Sequence, residues 1–287
     1  PHDWADDMVL SAVCGLPMSL GDAGEALGLP ADKAKDREGK ALIRWFCNPC
    51  KPTKTKPDEH WHEPRDYPDK WEKFKSYCSQ DGVAERHIHR MLERWAPDAV
   101  EHAAWVMDQC INDRGVRIDQ QLAGQAMRID ELHKSILSER AAELTGLENP
   151  NSVAQIKSWL LEQEGLEVPS LNKKVVADVV AQLSTDRAKE FMELRSELAK
   201  SSTKKYAAMV SSVCADGHCK GMFQFYGAGR TGRWAGRRVQ LQNFSKNKSP
   251  DIEQMRNLVK AGDYETVELL YDKPASVLSE LVRTAIL

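Results

Sequence analysis

Residues 226–244, YGAGRTGRWAGRRVQLQNF, combine four glycines, four arginines, two glutamines and an asparagine in nineteen positions. Glycine lets a backbone approach a partner closely and take φ > 0. Arginine grips phosphates and base edges through a planar fork of donors. The neutral amides of Gln240, Gln242 and Asn243 can donate and accept in a minor groove, where every base pair offers an acceptor. Lys204 and Lys205 precede this stretch, which itself carries Arg230, Arg233, Arg237 and Arg238. These cations would line one basic groove, in which phosphate contacts set affinity and register but carry no sequence information. The plain alternative is a solvated, Arg-rich loop.

Two further groups have the residue types for chemistry. In YCSQD, Tyr77 and Asp81 stand at i and i+4 and so share a helix face. An acid beside a phenol can hold a divalent metal and orient a water. Two-metal phosphodiester chemistry needs several carboxylates around ions about 4 Å apart, and Asp81 supplies one. Nothing pairs it with Asp6 or Asp7, so on residues alone Asp81 reads as a surface position and Tyr77 as core. Cys47-x₂-Cys50 followed by His60-x-His62 has the donors of a tetrahedral zinc site. Its H-x-H spacing is not the usual helical one, and its loop is rich in Pro and Lys. Cys214, His218 and Cys219 make a weaker set. The GAGRTG glycines lack the strand–helix setting, and the acid about 20 residues on, of a dinucleotide fingerprint.

The rest of the chain must position these groups. Its 287 residues suffice for about two domains. The net charge of −3 argues against a uniformly basic nucleic-acid binder. The distribution argues the other way. Residues 200–248 hold ten Lys/Arg against the single Asp216, so +9 sits there and −12 on the remainder. Seven scattered cysteines, no signal-peptide pattern and no apolar run of about eighteen residues point to reduced thiols, a cytoplasmic location and no membrane partner. The chain starts at Pro1 and stops at Leu287 inside a helical pattern, so both ends read as cut.

Periodicity predicts a mainly α protein, α+β in class, with a little β-structure near 213–244. Helices are predicted over 3–14, 19–29, 37–46, 68–95, 98–111, 119–144, 152–163, 172–183, 185–212, 251–261, 263–272 and 274–287. Residues 47–69, with five prolines, read as a long loop. Residues 112–119, NDRGVRID, read as a turn with Asp119 as the next N-cap. Expected inward faces include Val83, His87, Arg90 and Met91; Val100, Ala104, Met107 and Ile111; Leu122, Ala126, Ile129, Leu132 and Ile136; and Leu278, Leu281, Val282 and Ala285. KGMFQFYG, 220–227, alternates as a short strand.

With these residues in place, FYGAGRTGRWAGRRVQLQNF resembles the TGRW-x-G-R-x-V-Q-x-Q-N signature of family A DNA polymerases, in the phage-type branch of the DNA polymerase I group. The blocks ALIRWFCNPCKPTK, WEKFKSYCSQD, INDRGVRID, LTGLENPNSVAQIKSWL, SSTKKYAAM and VLSELVRTAIL resemble blocks of those enzymes in the same order. The resemblance therefore covers essentially the whole chain. It implies three parts: 1–95, the C-terminal remnant of a ribonuclease-H-like 3′–5′ exonuclease domain; 96–215, a helical thumb; and 216–287, the start of a palm with a small β-hairpin.

The same resemblance implies roles. YCSQD matches the third exonuclease motif, which makes Asp81 a metal ligand of an incomplete site and Tyr77 the residue that orients a water. Ser201, Ser202, Thr203, Lys204 and Lys205 would bind DNA near the thumb tip. Arg230, Thr231, Gly232, Arg233, Arg237, Gln240, Gln242 and Asn243 would bind the primer–template near the growing end. Ser245 departs from the family, which usually has Pro there, and this puts the path of the loop in question. The resemblance also weighs against zinc in the Cys50-Lys51-Pro52-Thr53 loop.

The expected function is that of a DNA-directed DNA polymerase fragment. The parent protein would use Mg²⁺, dNTPs and primer–template DNA. The other exonuclease motifs, the palm carboxylates, the fingers helix and the final motif would lie outside this chain. It is therefore expected to bind DNA, to hold no metal tightly and to be inactive alone. A stand-alone, non-catalytic DNA-binding module that reuses the thumb is the alternative, and a zinc-dependent binding protein a third.

Overall fold

The computed structural model describes residues 5–30, 39–200, 203–229 and 231–287. In chain order the helices are α1 (Asp7–Val13), α2 (Leu20–Ala26), α3 (Gly39–Cys47), α4 (Pro68–Leu92), α5 (Ala99–Arg114), α6 (Gln120–Thr145), α7 (Val153–Glu164), α8 (Lys173–Gln182), α9 (Asp186–Leu198), α10 (Lys204–Ser212), α11 (Ile252–Ala261), α12 (Tyr264–Tyr271) and α13 (Pro274–Leu281). The strands are β1 (Val116–Arg117), β2 (His218–Cys219), β3 (Phe223–Ala228) and β4 (Arg233–Gly236). The protein is thus mainly helical, with two small antiparallel sheets, β1–β2 and β3–β4. No helix among the described residues is long and apolar enough to cross a membrane.

Helix starts follow local chemistry. The side chains of Asp6, Ser19, Asp119, Ser152, Thr185 and Asp263 each accept from a backbone amide of the first turn. They satisfy donors that an α-helix leaves without an internal partner. Pro68 opens α4, where a missing amide costs nothing.

The chain forms two compact units. The first is drawn from Pro1–Asn112 and Phe223–Ala235, the second from Asp113–Met222 and Gly236–Leu287. In the first unit α1 is buried on two sides. Val9 packs with Trp105, Val106 and Phe225, while Leu10 packs with Ala23, Ile88 and Leu92. Asn112 pins the β3–β4 hairpin in this unit. Its Oδ1 accepts from the Phe223 amide at 2.9 Å, and its Nδ2 donates to the Phe223 carbonyl at 3.0 Å. The buried Asp108 carboxylate accepts from Asn112 Nδ2 at 3.1 Å, and burial pushes its carboxyl above the usual range.

In the second unit α6 is the spine, with α9, α10, α11 and α13 against it. Ala141, Ile156, Trp159, Leu160, Phe191 and Met192 form one core there. Leu122, Tyr206, Val259, Val267, Leu278 and Leu281 are fully enclosed.

Four expectations are corrected. The helix predicted over 185–212 is two helices, α9 and α10. Ser and Thr compete for backbone hydrogen bonds and favour helix ends, and Thr203, buried at the cap of α10, stands at the restart. The predicted turn over 112–119 contains β1, which pairs with β2 in the register Val116↔Cys219 and Arg117↔His218. Ile118 also bridges to Ile286. Those partners lie about 100 residues or more along the chain, so no local pattern announces them. In α5 the buried residues are Trp105, Val106 and Asp108, whereas Val100 and Met107 are exposed. In the later turns of α4 and α6 the inward positions are Ala84, Ile88 and Leu92, and His133, Ala141 and Thr145; Met91, Leu132 and Ile136 face out. A straight helix of 3.6 residues per turn drifts against any fixed stripe, and these helices change partners along their length.

Candidate nucleic-acid interface

In the second unit, the run from Arg237 to Phe244 hangs from two buried side chains. Val239 and Phe244 point inward, while Arg237, Arg238, Gln240, Gln242 and Asn243 are exposed. The backbone enforces this alternation. Arg238 and Gln240 both adopt left-handed φ, 52° and 54°, on either side of Val239. Such conformations are costly for residues with a Cβ and persist only where the surroundings over-determine them. Here the enclosure of Val239 supplies that constraint, as does the Arg237 amide donating to the Met222 carbonyl at 2.8 Å. A short 3₁₀ turn, Leu241–Asn243, follows, and Asn243 Nδ2 donates to Gln240 Oε1 at 3.1 Å. The three neutral amides therefore sit on one tight bend.

Gly236 makes that bend fit. A Cβ there would collide with the Gln242 side-chain amide and lie 3.0 Å from Gln240 Cα. The second contact is with backbone, which cannot swing aside.

The supports come from α10 and α13. Lys205 Nζ donates to the Val239 carbonyl at 2.8 Å and lies 6.0 Å from the centre of the Phe244 ring. Tyr206, fully buried, donates its hydroxyl to the Leu278 carbonyl at 2.6 Å, and burial drives its phenol far above the usual range. Ser245 answers the question its departure from Pro raised. Its hydroxyl donates to the Ser279 carbonyl at 3.3 Å, and Glu280 accepts from the Lys248 amide at 2.8 Å, so α13 guides the strand out of the bend. Sequence reasoning missed Val239, Phe244, Ser279 and Glu280 as parts of this site. The apolar pair five residues apart inside a polar run was the available signal.

Among the described residues, Lys204, Arg237, Arg238, Lys246 and Lys248 take part in no ion pair. Lys204 is exposed at the start of α10, and Thr203 is buried, where its hydroxyl accepts from Lys134 at 3.4 Å. Thr203 occupies the N-cap position of α10 without a capping hydrogen bond from its side chain. Ser201 and Ser202 lie outside the described residues.

In the first unit, the β3–β4 hairpin carries the remaining predicted positions. Arg230 lies outside the described residues. Thr231 and Gly232 close the turn, their amides both donating to the Ala228 carbonyl. Gly232 needs its φ of 63°, and a Cβ there would press on the Tyr226 ring at 3.0 Å. Arg233 is exposed, without an ion pair among the described residues. Trp234 packs on Phe225 with ring centres 6.4 Å apart. Tyr226 donates to Glu101 at 2.9 Å, a hydrogen bond that raises its phenol.

Also in this unit, Tyr77 is buried on α4, stacked on Phe74 at 6.3 Å, and Asp81 is half-buried one turn later. The shared face is as predicted. Among the described residues, the three His, Cys, Asp or Glu side chains whose ligand atoms converge within 4.8 Å are Cys50, Glu59 and His62. Asp81 is not among them. One carboxylate does not fit a two-ion site.

No family model matches this chain. It is 47% identical over 285 residues to a protein named DNA polymerase from Bacillus phage SP02. That match takes in 99% of this chain and 44% of the phage protein, so the chain spans less than half the length of the curated relative it matches.

Proposed function

We propose that this chain is the primer–template-binding part of a DNA-directed DNA polymerase of the family A type, whose whole protein extends a primer 3′ end with dNTPs and Mg²⁺. The observation that carries this reading is the bend at 237–243. It exposes two arginines, without ion pairs among the described residues, beside three neutral amides, all held on the buried Val239 and Phe244. Arginines fit phosphate oxygens, and fixed amides fit the minor-groove acceptors common to all base pairs. A polymerase needs that combination, because it must hold any sequence in one register. The identity of 47% to a protein named DNA polymerase supports the same reading.

Within it, Arg237, Arg238 and Lys204 contact phosphates, and Gln240, Gln242 and Asn243 contact base edges. Arg230, Thr231, Gly232 and Arg233 form a second contact on the hairpin, with Ser201 and Ser202 near the tip of a thumb made from 96–215. Residues 216–287 begin the palm. Lys205 acts as a positioning residue, since its ammonium is already engaged by the Val239 carbonyl. Residues 1–95 are read as the end of a 3′–5′ exonuclease domain, with Tyr77 and Asp81 from its third motif.

The test is to titrate the 287-residue chain against a labelled primer–template duplex by fluorescence anisotropy, and to assay primer extension with Mg²⁺ and dNTPs in parallel. Binding that weakens when Arg237 and Arg238 are changed to Glu supports the reading. Binding indifferent to that change contradicts the interface. Primer extension by this chain alone would contradict its assignment as the binding part.

A further inference from the structure

The long loop between α3 and α4 folds back on itself. The Cys50 amide donates to the His60 carbonyl at 2.8 Å, and Thr53 and Lys56 bridge to close the turn between them. This brings together Cys50 Sγ, a Glu59 carboxylate oxygen and a His62 ring nitrogen, all within 4.8 Å of one another and all half-buried. We propose that Cys50, Glu59 and His62 form a binding site for a divalent transition metal of the zinc class.

Each donor is held in a ligating state by a neighbour. His62 Nδ1 lies 2.9 Å from the Trp45 carbonyl, which can only accept, so Nδ1 carries the proton and Nε2 keeps its lone pair for a metal. A backbone carbonyl on the far nitrogen is the usual partner of a metal-bound imidazole. The His62 ring also stacks on the Trp45 indole with centres 3.8 Å apart, which fixes its plane. Glu59 Oε1 accepts from the Tyr67 hydroxyl at 2.7 Å and from Lys56 Nζ at 3.1 Å, so the carboxylate is oriented with Oε2 left over. The Cys50 thiol points at the Glu59 carbonyl, 3.2 Å away, and would give up its proton when a metal binds.

The mixture selects the metal. Thiolate, imidazole and carboxylate together suit zinc-class ions, whereas Mg²⁺ and Ca²⁺ prefer oxygen ligands alone. Three protein donors leave a fourth tetrahedral position for water. Glu59 also lines an open surface cleft of about 530 Å³, which gives an ion a route in. The donors are not the Cys-x₂-Cys and His-x-His set of the spacing argument. The structure takes one member of each pair and adds Glu59; Cys47 and His60 stay outside the cluster. A bound ion would cross-link the two arms of the loop between α3 and α4.

The test uses the whole chain, stripped with a chelator and titrated with Co²⁺ as a spectroscopic probe, then with Zn²⁺. A cobalt–thiolate charge-transfer band should grow to about one equivalent and be displaced by Zn²⁺. Cys50→Ser should abolish the band, and Cys47→Ser should leave it. Tyr67→Phe, which keeps every ligand, should weaken Co²⁺ binding roughly tenfold or more by freeing Glu59. No thiolate band in the folded wild-type chain, or a band that is lost with Cys47→Ser and kept in Cys50→Ser, would overturn the proposal.

Discussion

Lys205 Nζ donates to the Val239 carbonyl oxygen at 2.8 Å. The bond joins the second residue of α10 to the one enclosed side chain in the bend, between two residues at left-handed φ. Strain in the bend is thus resisted from both sides, by burial of Val239 and by a cation on its carbonyl. Lys205 and Arg237 should consequently behave differently when removed. Arg237→Gln should lower the salt slope of primer–template binding by about 0.9, the value for one lost phosphate contact. Lys205→Met should weaken binding and leave the slope nearly unchanged. Anisotropy titrations across a salt series measure both, and equal changes in slope would show that Lys205 is a phosphate contact.

Gly236→Ala tests the bend itself. The new methyl meets Gln240 Cα, so overpacking should cost about 1–3 kcal/mol. Duplex binding should weaken as well, because Gln240 and Gln242 must shift. Thermal melts and anisotropy read the two effects, and an unchanged melting temperature would mean the bend is looser than its geometry.

Tyr206→Phe removes the hydroxyl that α10 gives to the Leu278 carbonyl. The site is fully buried, so the carbonyl finds no water and the change should cost about 1–3 kcal/mol. Urea unfolding gives the figure directly. A neutral result would imply that α13 satisfies the carbonyl by moving.

Asp119 caps α6 through the Leu122 amide at 3.0 Å and pairs with Lys260 at 3.0 Å and with Arg256. Burial alone would raise its carboxyl, but the Leu122 amide and the two cations hold it below the usual range. A lowered folded value means stability that is present above the unfolded value, about 3.9, and lost as pH falls through the folded one. Asp119→Asn keeps a capping oxygen and removes the charge. It should therefore be less stable than wild type at neutral pH, by about 1 kcal/mol once solvent access of both cations is allowed for. That gap should close below about pH 4. Urea midpoints across pH measure it, and a constant gap would contradict the charge argument.

Local signals were legible in the sequence wherever a residue decides structure by itself. The Asp119 cap and the inward Leu278, Leu281, Val282 and Ala285 read correctly, and the strand expected over 220–227 forms over Phe223–Ala228. What failed depended on partners far along the chain. The strand at Val116 exists because β2 and Ile286 supply its ladder. The true inner face of α5 is set by the hairpin that Asn112 holds. In the candidate site, Arg237, Arg238, Gln240 and Gln242 were chosen by residue type and are exposed, whereas the buried Val239 and Phe244 beside them carried no such signal. Thr203, expected as a DNA contact, is buried at the N-cap position of α10.

The most direct measurement of the central claim is the salt dependence of primer–template binding by the 287-residue chain, wild type against a variant with Arg237 and Arg238 both changed to Glu. The account predicts that log K falls steeply and linearly with log salt for wild type, and that the variant binds more weakly with a slope shallower by about 2 or more. A wild-type affinity that stays flat from low to high salt, or a variant that binds like wild type, would contradict it.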